Sequence, residues 1–491
     1  MSPLFIITCI ALYFGGLLLI AYITSKNSTA DSYFSGNHAS PWYAVAFGMI
    51  GDSLSGVTYI SVPGKVGTAN FSYLQLVLGY FVGYFIISKV LLPIYYKMNL
   101  VSIYSYLETR FGRNTQKTGA FYFIISRVLG AAGRLYLAAG VIQFFVFDRI
   151  ESIHIPFWIS VSVILALMLL YTYKGGIKTL VWTDTFQSLF LILGVIISII
   201  VIIQKMDIGF GKAISNIVSS EYSKTFFWDW RSSNFFVKEF IGGVFIAVSM
   251  TGLDQNMMQK NLSCKSLGDA QKNIFWFSIV MVIVNVFFLS LGVLLYQYYA
   301  HAAIDLPMNA ETGKVITDKV FPNLALNDLG LFAGLFFIIG LTAATFSSAD
   351  SVLTTLTTST YFDILEYDKN TSFTEQQKSK RRTIIHIGFA IVLWIVIIAF
   401  DVLNQKAIID TVLMLAGYTY GPLLGLFAIG LFTKQKLNDK LVPVICIVAP
   451  VITYVLANYI LKATTNYVVG NELILLNAGL TAFGLLFIKK K

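Results

Sequence analysis

Three stretches of this 491-residue sequence place oxygen-bearing residues where apolar runs would bury them. "GDSLSGVTYISVPG" (51–64) holds one acid, three serines, one threonine, three glycines and one proline inside an apolar run. "IGGVFIAVSMTGLDQNMMQK" (241–260) is interrupted in the same manner at Thr251, Gly252 and Asp254. In "LTAATFSSADSVLTTLTTSTYFD" (341–363), Ala344, Ser347, Ser348 and Ser351 recur at spacings of three and four, which puts them on one helical face. An interrupted helix frees backbone carbonyls, and hydroxyls on a facing helix add further oxygens; a hard cation takes such ligands. The later threonines of the third stretch have a simpler use, bonding their own i−4 carbonyls. Close helix packing is the competing account of the glycines and serines, and two interruptions in corresponding positions weigh against it.

Charges at membrane depth form the second set. Arg134 lies midway along the apolar run 119–147, with Arg127 seven residues earlier on nearly the same face. A guanidinium near a bilayer centre needs an acceptor, and a protein carboxylate and an anionic group of a ligand both satisfy it. Asp184, early in the run 180–203 and so in the inner half, is a functional charge or the partner of one of those arginines. Lys89 and Lys238 lie near the ends of runs, where long side chains snorkel to the interface. His38, His154, His301 and His386 are scattered without metal-ligand spacing, and no nucleophile–base pair stands out, so an intramembrane enzyme is a poor reading.

The elements that must position these residues follow from composition. The chain is 56% hydrophobic and 12% charged, against roughly 25% charged in soluble domains. A spanning helix takes about 20 apolar residues, and thirteen candidate spans occur at 4–24, 41–62, 71–96, 119–147, 155–173, 180–203, 236–255, 274–299, 329–361, 384–402, 407–432, 440–462 and 467–488. The expected class is an all-α polytopic membrane protein. The first run lacks a basic leader and reads as an uncleaved span. Twenty-one lysines and arginines, Lys260 among them, fall on the side of the first loop and ten on the other. This places the N-terminus outside and the C-terminus in the cytoplasm of the cell's plasma (inner) membrane. The formal charge of +10 is accounted for by those loops, and no nucleic-acid partner is expected. Cys9, Cys264 and Cys446 make no disulfide framework and read as buried fillers. The two interrupted spans each open a set of five, and five being odd, the second set enters from the opposite side. That is an inverted repeat with a broken first helix in each half, built around a midplane site. The expected organisation is an extra helix and first loop at 1–40, repeats at 41–203 and 236–432, an outer loop at 204–235, and two further helices at 433–491.

"SGVTYISVPG", "LLPIYYKMNLVSIYSYLETRFG" (91–112), "GGIKTLVWTDTFQ" (175–187), "GLDQNMMQK" (252–260) and "SSADS" (347–351) together resemble the sodium/solute symporter family, over about residues 5–435 and in the right order. That resemblance implies the LeuT-type 5+5 inverted-repeat transporter fold with about 13 transmembrane helices, and sodium-coupled import by alternating access. It also implies a main sodium site from the carbonyls of Gly51, Leu54 and Ala344 with the hydroxyls of Ser347 and Ser348. Two-sodium relatives add a second site, which here matches Asp184 and Ser351, so one or two sodium ions are expected. Asp350 in that turn is open to a cation, a proton or a structural pairing. Ser53 and Thr58 point toward the solute; Gln75, Arg134, Asp254 and Gln255 complete the candidate solute contacts. Sugar-carrying relatives use a glutamate in the third span and a lysine in the eighth, where this chain offers Gln75 and no lysine. The preferred solute is therefore carboxylate-bearing, such as a sialic acid, with sugar, proline or monocarboxylate as alternatives. A channel and a non-transporting solute sensor are the rivals from other classes. Partners are the small solute, sodium and the lipid bilayer.

Overall fold

The computed structural model describes residues 3–26, 30–145, 147–149, 155–310, 312–370, 372–403, 408–465, 467 and 469–490. His154 lies outside them. Among the described residues there is no β-strand, only three isolated bridges. The principal helices are α1 (Pro3–Ser25), α2 (Trp42–Ser53), α3 (Gly56–Ala69), α4 (Tyr73–Ile86), α5 (Arg113–Phe145) and α6 (Phe157–Lys205), followed by α7 (Phe236–Ala247), α8 (Gln255–Leu262) and α9 (Leu267–His301). Beyond these come α10 (Leu331–Ser359), α11 (Glu375–Leu403), α12 (Ile408–Phe432), α13 (Val442–Val455) and α14 (Leu473–Leu486).

Nine described helices are long and apolar enough to cross a membrane, and two further helix pairs qualify as bent spans. The shorter apolar helices Phe157–Thr172 and Leu473–Leu486 accompany them. Every span expected from the sequence falls on one of these helices or pairs, with shifted ends. α6 covers two expected spans, and the chain turns between them at Gly176, where φ is 53°. A Cβ there would stand 2.3 Å from the Tyr33 carbonyl oxygen, so the turn requires glycine.

Both interruptions are present. α2 and α3 meet at 61°, across Leu54 (φ −91°, ψ 74°) and an extended Ser55 (φ −66°, ψ 172°). The second bend, 64°, lies where Phe236–Gly252 gives way to α8. There Val248–Gly252 widens into a π turn and Asp254 (φ −112°, ψ 121°) caps α8, its carboxylate accepting from the Met257 N–H at 3.1 Å. α10 runs through the interior: every residue from Gly340 to Ser359 is buried. That burial carries the hydroxyl-rich turns of α10 to the broken helices, because α1, α2, α3, α5, α6, α8 and α11 pack around it. α11 and α13 instead expose Ile384, Ile391, Ile395, Ile447 and Val451, as lipid-facing helices must.

Candidate functional site

The first break presents bare backbone. Leu54 N–H still reaches the Ile50 carbonyl at 2.8 Å. Past that bond, no donor among the described residues reaches the carbonyls of Gly51, Asp52, Ser53 and Leu54. Gly51 N–H donates to Ser188 Oγ at 2.8 Å. A Cβ at Gly51 would stand 2.6 Å from Ser188 Oγ and 3.0 Å from Ser347 Oγ, so glycine is what lets α10 come this close. Ser347 Oγ donates to Asp184 Oδ1 at 3.1 Å, and Ser348 Oγ to the Thr345 carbonyl at 3.0 Å. Each hydroxyl proton is thus directed away, leaving oxygen lone pairs for another partner. Gly51, Leu54, Ala344, Ser347 and Ser348 are all buried, and the fold brings the first break against the Ser347 turn as the sequence implied.

The second break is closed by comparison. Tyr95 OH donates to the Gly252 carbonyl at 2.9 Å and Tyr104 OH to the Leu253 carbonyl at 3.0 Å. Gln255 bridges the Ile103 N–H (2.9 Å) and the Val101 carbonyl (2.8 Å). Asp254 pairs with Arg127 Nε at 2.6 Å, accepts from Tyr420 OH and caps α8. Asp254 and Gln255, read from the sequence as solute contacts, are therefore spent on closing this break and do not line the central cavity. Gln75 departs likewise: its amide donates to the Asn234 carbonyl at 2.9 Å and accepts from Phe227 N–H at 3.3 Å, fastening the outer loop.

A central cavity of about 100 Å3 lies between the two breaks. Ser53 and Thr58 line it, with Tyr73, Tyr80 and Tyr84 of α4, Arg127 and Arg134 of α5, and Met250 and Thr251 of the π turn. The two arginines differ. Arg127 has its carboxylate and also reaches the Met250 carbonyl at 3.3 Å. Among the described residues no acceptor bonds Arg134, whose side chain opens to the cavity while the residue is only 9% exposed. An outer cavity of about 450 Å3 shares Tyr73 and Ile246 with the central one and is otherwise lined by loop residues such as Asn70, Asn234 and Asn471 together with helix residues such as Val62, Leu289 and Gly417.

The sequence reading missed a buried cation. Lys260, counted there as a loop charge, is 1% exposed and sits between Asp52 Oδ2 (2.9 Å) and Asp184 Oδ2 (2.6 Å). Asp184, whose suggested alternative partner was an arginine, is held by this ammonium, with Ser351 Oγ adding a bond at 3.3 Å. Asp52 also accepts from Asn256 Nδ2 at 2.6 Å. The signal available was the proximity of Lys260 to the interrupted run, three residues past the apolar Met257 and Met258 pair's start. Lys238, expected to snorkel, is buried with its ammonium 3.7 Å from the centre of the Tyr467 ring.

The chain's relatives fit this architecture. The profile described as the Sodium:solute symporter family matches residues 33–440. The sodium/sialic acid symporter NanT of Aliivibrio fischeri is 27% identical over 449 residues, 90% of this chain and 85% of that protein. The mouse sodium-coupled monocarboxylate transporter 1 is 25% identical over 438 residues, 85% of this chain and 68% of that protein. Among solved structures, a substrate-bound, outward-open Na+-coupled sialic acid symporter superposes with a TM-score of 0.82 at 22% identity, covering 99% of this chain and 98% of that one. The fold is the LeuT-type transporter fold. With its two bent spans and a family profile across most of its length, the chain belongs to the sodium:solute symporter family, and is a multi-pass membrane transporter that couples solute import to sodium.

Proposed function

We propose that the imported solute carries a carboxylate and that Arg134 binds it in the central cavity. The observation that carries this reading is the buried, unpaired guanidinium facing that cavity. Such a group in a spanning helix needs an anion, and Arg recognises carboxylates in bidentate geometry. Ser53 and Thr58, with the cavity tyrosines, supply hydrogen bonds to the rest of the solute. The main sodium ion takes the carbonyls of Gly51, Leu54 and Ala344 and the hydroxyls of Ser347 and Ser348, a reading supported by the bare carbonyls of the first break. Residues 41–203 and 236–432 act as the two inverted repeats, flanked by 1–40 and 433–491 and joined by the outer loop 204–235. The termini lie outside (N) and in the cytoplasm (C) of the plasma membrane.

A sialic acid is the preferred solute, in keeping with the relatives named above. A short monocarboxylate is the second reading, favoured by the cavity volume of about 100 Å3, below the ~300–1,000 Å3 usual for ligand pockets. A sialic acid therefore requires the cavity to widen toward the outer one past Tyr73 and Ile246. Coupling requires only that sodium favour the solute-competent state by differential affinity.

The test is sodium-dependent thermal stabilisation of the purified chain by N-acetylneuraminate, short monocarboxylates, proline and neutral hexoses. Carboxylates stabilise it in sodium and not in potassium. Arg134→Ala loses two charge-assisted hydrogen bonds, about 3 kcal/mol or roughly 150-fold in affinity. Equal stabilisation by neutral hexoses, or unchanged carboxylate affinity in a folded Arg134→Ala chain, refutes the reading.

A further inference from the structure

Away from the solute cavity, α5, α13 and the π turn that ends α10 (Thr360–Ile364) enclose a groove of about 360 Å3. It shares no lining residue with the central or the outer cavity. Its walls are mostly carbon, from Phe121, Tyr122, Ile364, Pro443 and Ile447. Phe121 and Ile447 are 54% and 60% exposed, so the groove opens on a face that meets lipid. The hydroxyls in the wall are already used. Tyr122 OH donates to the Cys446 carbonyl at 2.6 Å, and Thr118 Oγ1 to the Asn114 carbonyl at 2.7 Å.

One charge enters this apolar lining. Lys117 is half-buried there, and its ammonium makes no hydrogen bond or ion pair among the described residues. The neighbouring cations are engaged: Arg113 pairs with Glu366, Lys369 with Glu108 at 2.8 Å, and Arg110 Nε donates to the Gly430 carbonyl at 3.1 Å. The N-terminus of α5 has its anion as well, because Asp439 accepts from the Asn114 and Thr115 N–H groups at 3.0 and 2.8 Å. A lysine near the end of a span ordinarily snorkels into water. Lys117 instead lines a groove with room for hydrocarbon, which calls for an anion and an apolar chain at one place.

Depth and charge select the occupant. Lys117 precedes the apolar run 119–147 by two residues, and α13 starts directly after Lys434, Lys436 and Lys440. Both walls of the groove therefore enter the bilayer from the basic, cytoplasmic side of the assigned topology. Lys117 and Phe121 are four residues apart, about 6 Å along the helix. That spacing sets an ammonium at headgroup level and a ring at acyl level. A free anion would use only the first, and a zwitterionic lipid brings a phosphate whose charge its own ammonium offsets. We propose that the groove holds one anionic phospholipid of the cytoplasmic leaflet, its phosphate on Lys117 and an acyl chain along Phe121, Pro443 and Ile447. Such a lipid bridges α5, which carries Arg127 and Arg134, to the helices after residue 433. Its occupancy depends on the chain lying in a membrane and not on which solute is carried.

The test is native mass spectrometry of the delipidated full-length chain in detergent, titrated with dioleoyl phosphatidylglycerol, dioleoyl phosphatidylcholine or inorganic phosphate. One phosphatidylglycerol binds about fivefold more tightly than phosphatidylcholine, the preference expected of one lysine near a membrane surface. Inorganic phosphate does not displace it. Lys117→Gln loses the fivefold preference, whereas Lys380→Gln, which removes an exposed charge outside the groove, keeps it. Ile447→Trp fills the groove and weakens both lipids roughly tenfold, the loss of about two buried methylenes. Equal affinity for the two lipids overturns the proposal, as does an unaltered preference in Lys117→Gln, an equal loss in Lys380→Gln or unweakened binding in Ile447→Trp. So does displacement by phosphate, which makes this a site for free anions, and so does a lipid-free dimer, which gives the face to a second copy of the chain.

Discussion

Replacing Lys260 with glutamine tests the buried charge network most directly. The ammonium is 1% exposed and makes bonds of 2.9 Å and 2.6 Å to two carboxylates that are themselves fully enclosed. Without it, Asp52 keeps only the Asn256 amide (2.6 Å), and Asp184 keeps the Ser347 (3.1 Å) and Ser351 (3.3 Å) hydroxyls. Removing one member of a buried ion pair costs about 3–5 kcal/mol, because the remaining charge stays desolvated. A glutamine amide restores about 1 kcal/mol through one hydrogen bond. The expected loss is about 2–4 kcal/mol, roughly 30- to 700-fold in the ratio of folded to unfolded chain. The double variant Asp52→Asn/Lys260→Gln removes one stranded charge along with the ammonium. Its loss should fall short of the sum of the two single losses by about 0.5–3 kcal/mol. Denaturant titration in mixed micelles, followed by tryptophan fluorescence, measures all three. Since screening hardly reaches enclosed charges, the losses should be the same in dilute and concentrated potassium chloride. A Lys260→Gln chain within about 0.5 kcal/mol of the unaltered one, which is the range of ordinary surface changes, or strict additivity in the double variant, refutes the reasoning.

Two further outcomes are expected. Ser347→Ala with Ser348→Ala removes two of five proposed ligand oxygens and should raise the sodium concentration for half-maximal uptake by at least about tenfold; an unchanged sodium curve in liposomes removes both serines from the site. For orientation, a single cysteine at Ser219 in the outer loop should react with a membrane-impermeant maleimide on intact cells, whereas one at Ser379 should react only after permeabilisation. The opposite pattern inverts the assigned topology.

The spans were legible because about 20 apolar residues in a row have few other uses. The two breaks were legible because serine, glycine and aspartate disfavour a helix interior. The approach of Gly51 to Ser347 came from family resemblance, and the space a Cβ would need at Gly51 now gives its physical reason. What escaped was pairing. Lys260 meets partners 208 and 76 residues away in the chain, and no local pattern records such distances. Its position just past an apolar stretch made it look like a loop charge, although α8 turns inward after the bend. Asp254 and Gln255 were misread for a related reason: polar residues at a break look like ligands, while a break facing other loops needs its own groups satisfied first. The helix-capping geometry of Asp254, an aspartate directly before α8, was a local signal for that structural use.

The sealed and the bare break have a consequence for how the two repeats divide their labour. In the second, Tyr95, Tyr104 and Gln255 have sutured the peptide groups to the helix Leu92–Lys97 and the segment 101–104, so that kink is a fixed elbow welded to its neighbours. In the first, four peptide oxygens meet no donor among the described residues. A duplicated architecture has in this way become lopsided: one half carries a sealed kink, the other a bare one.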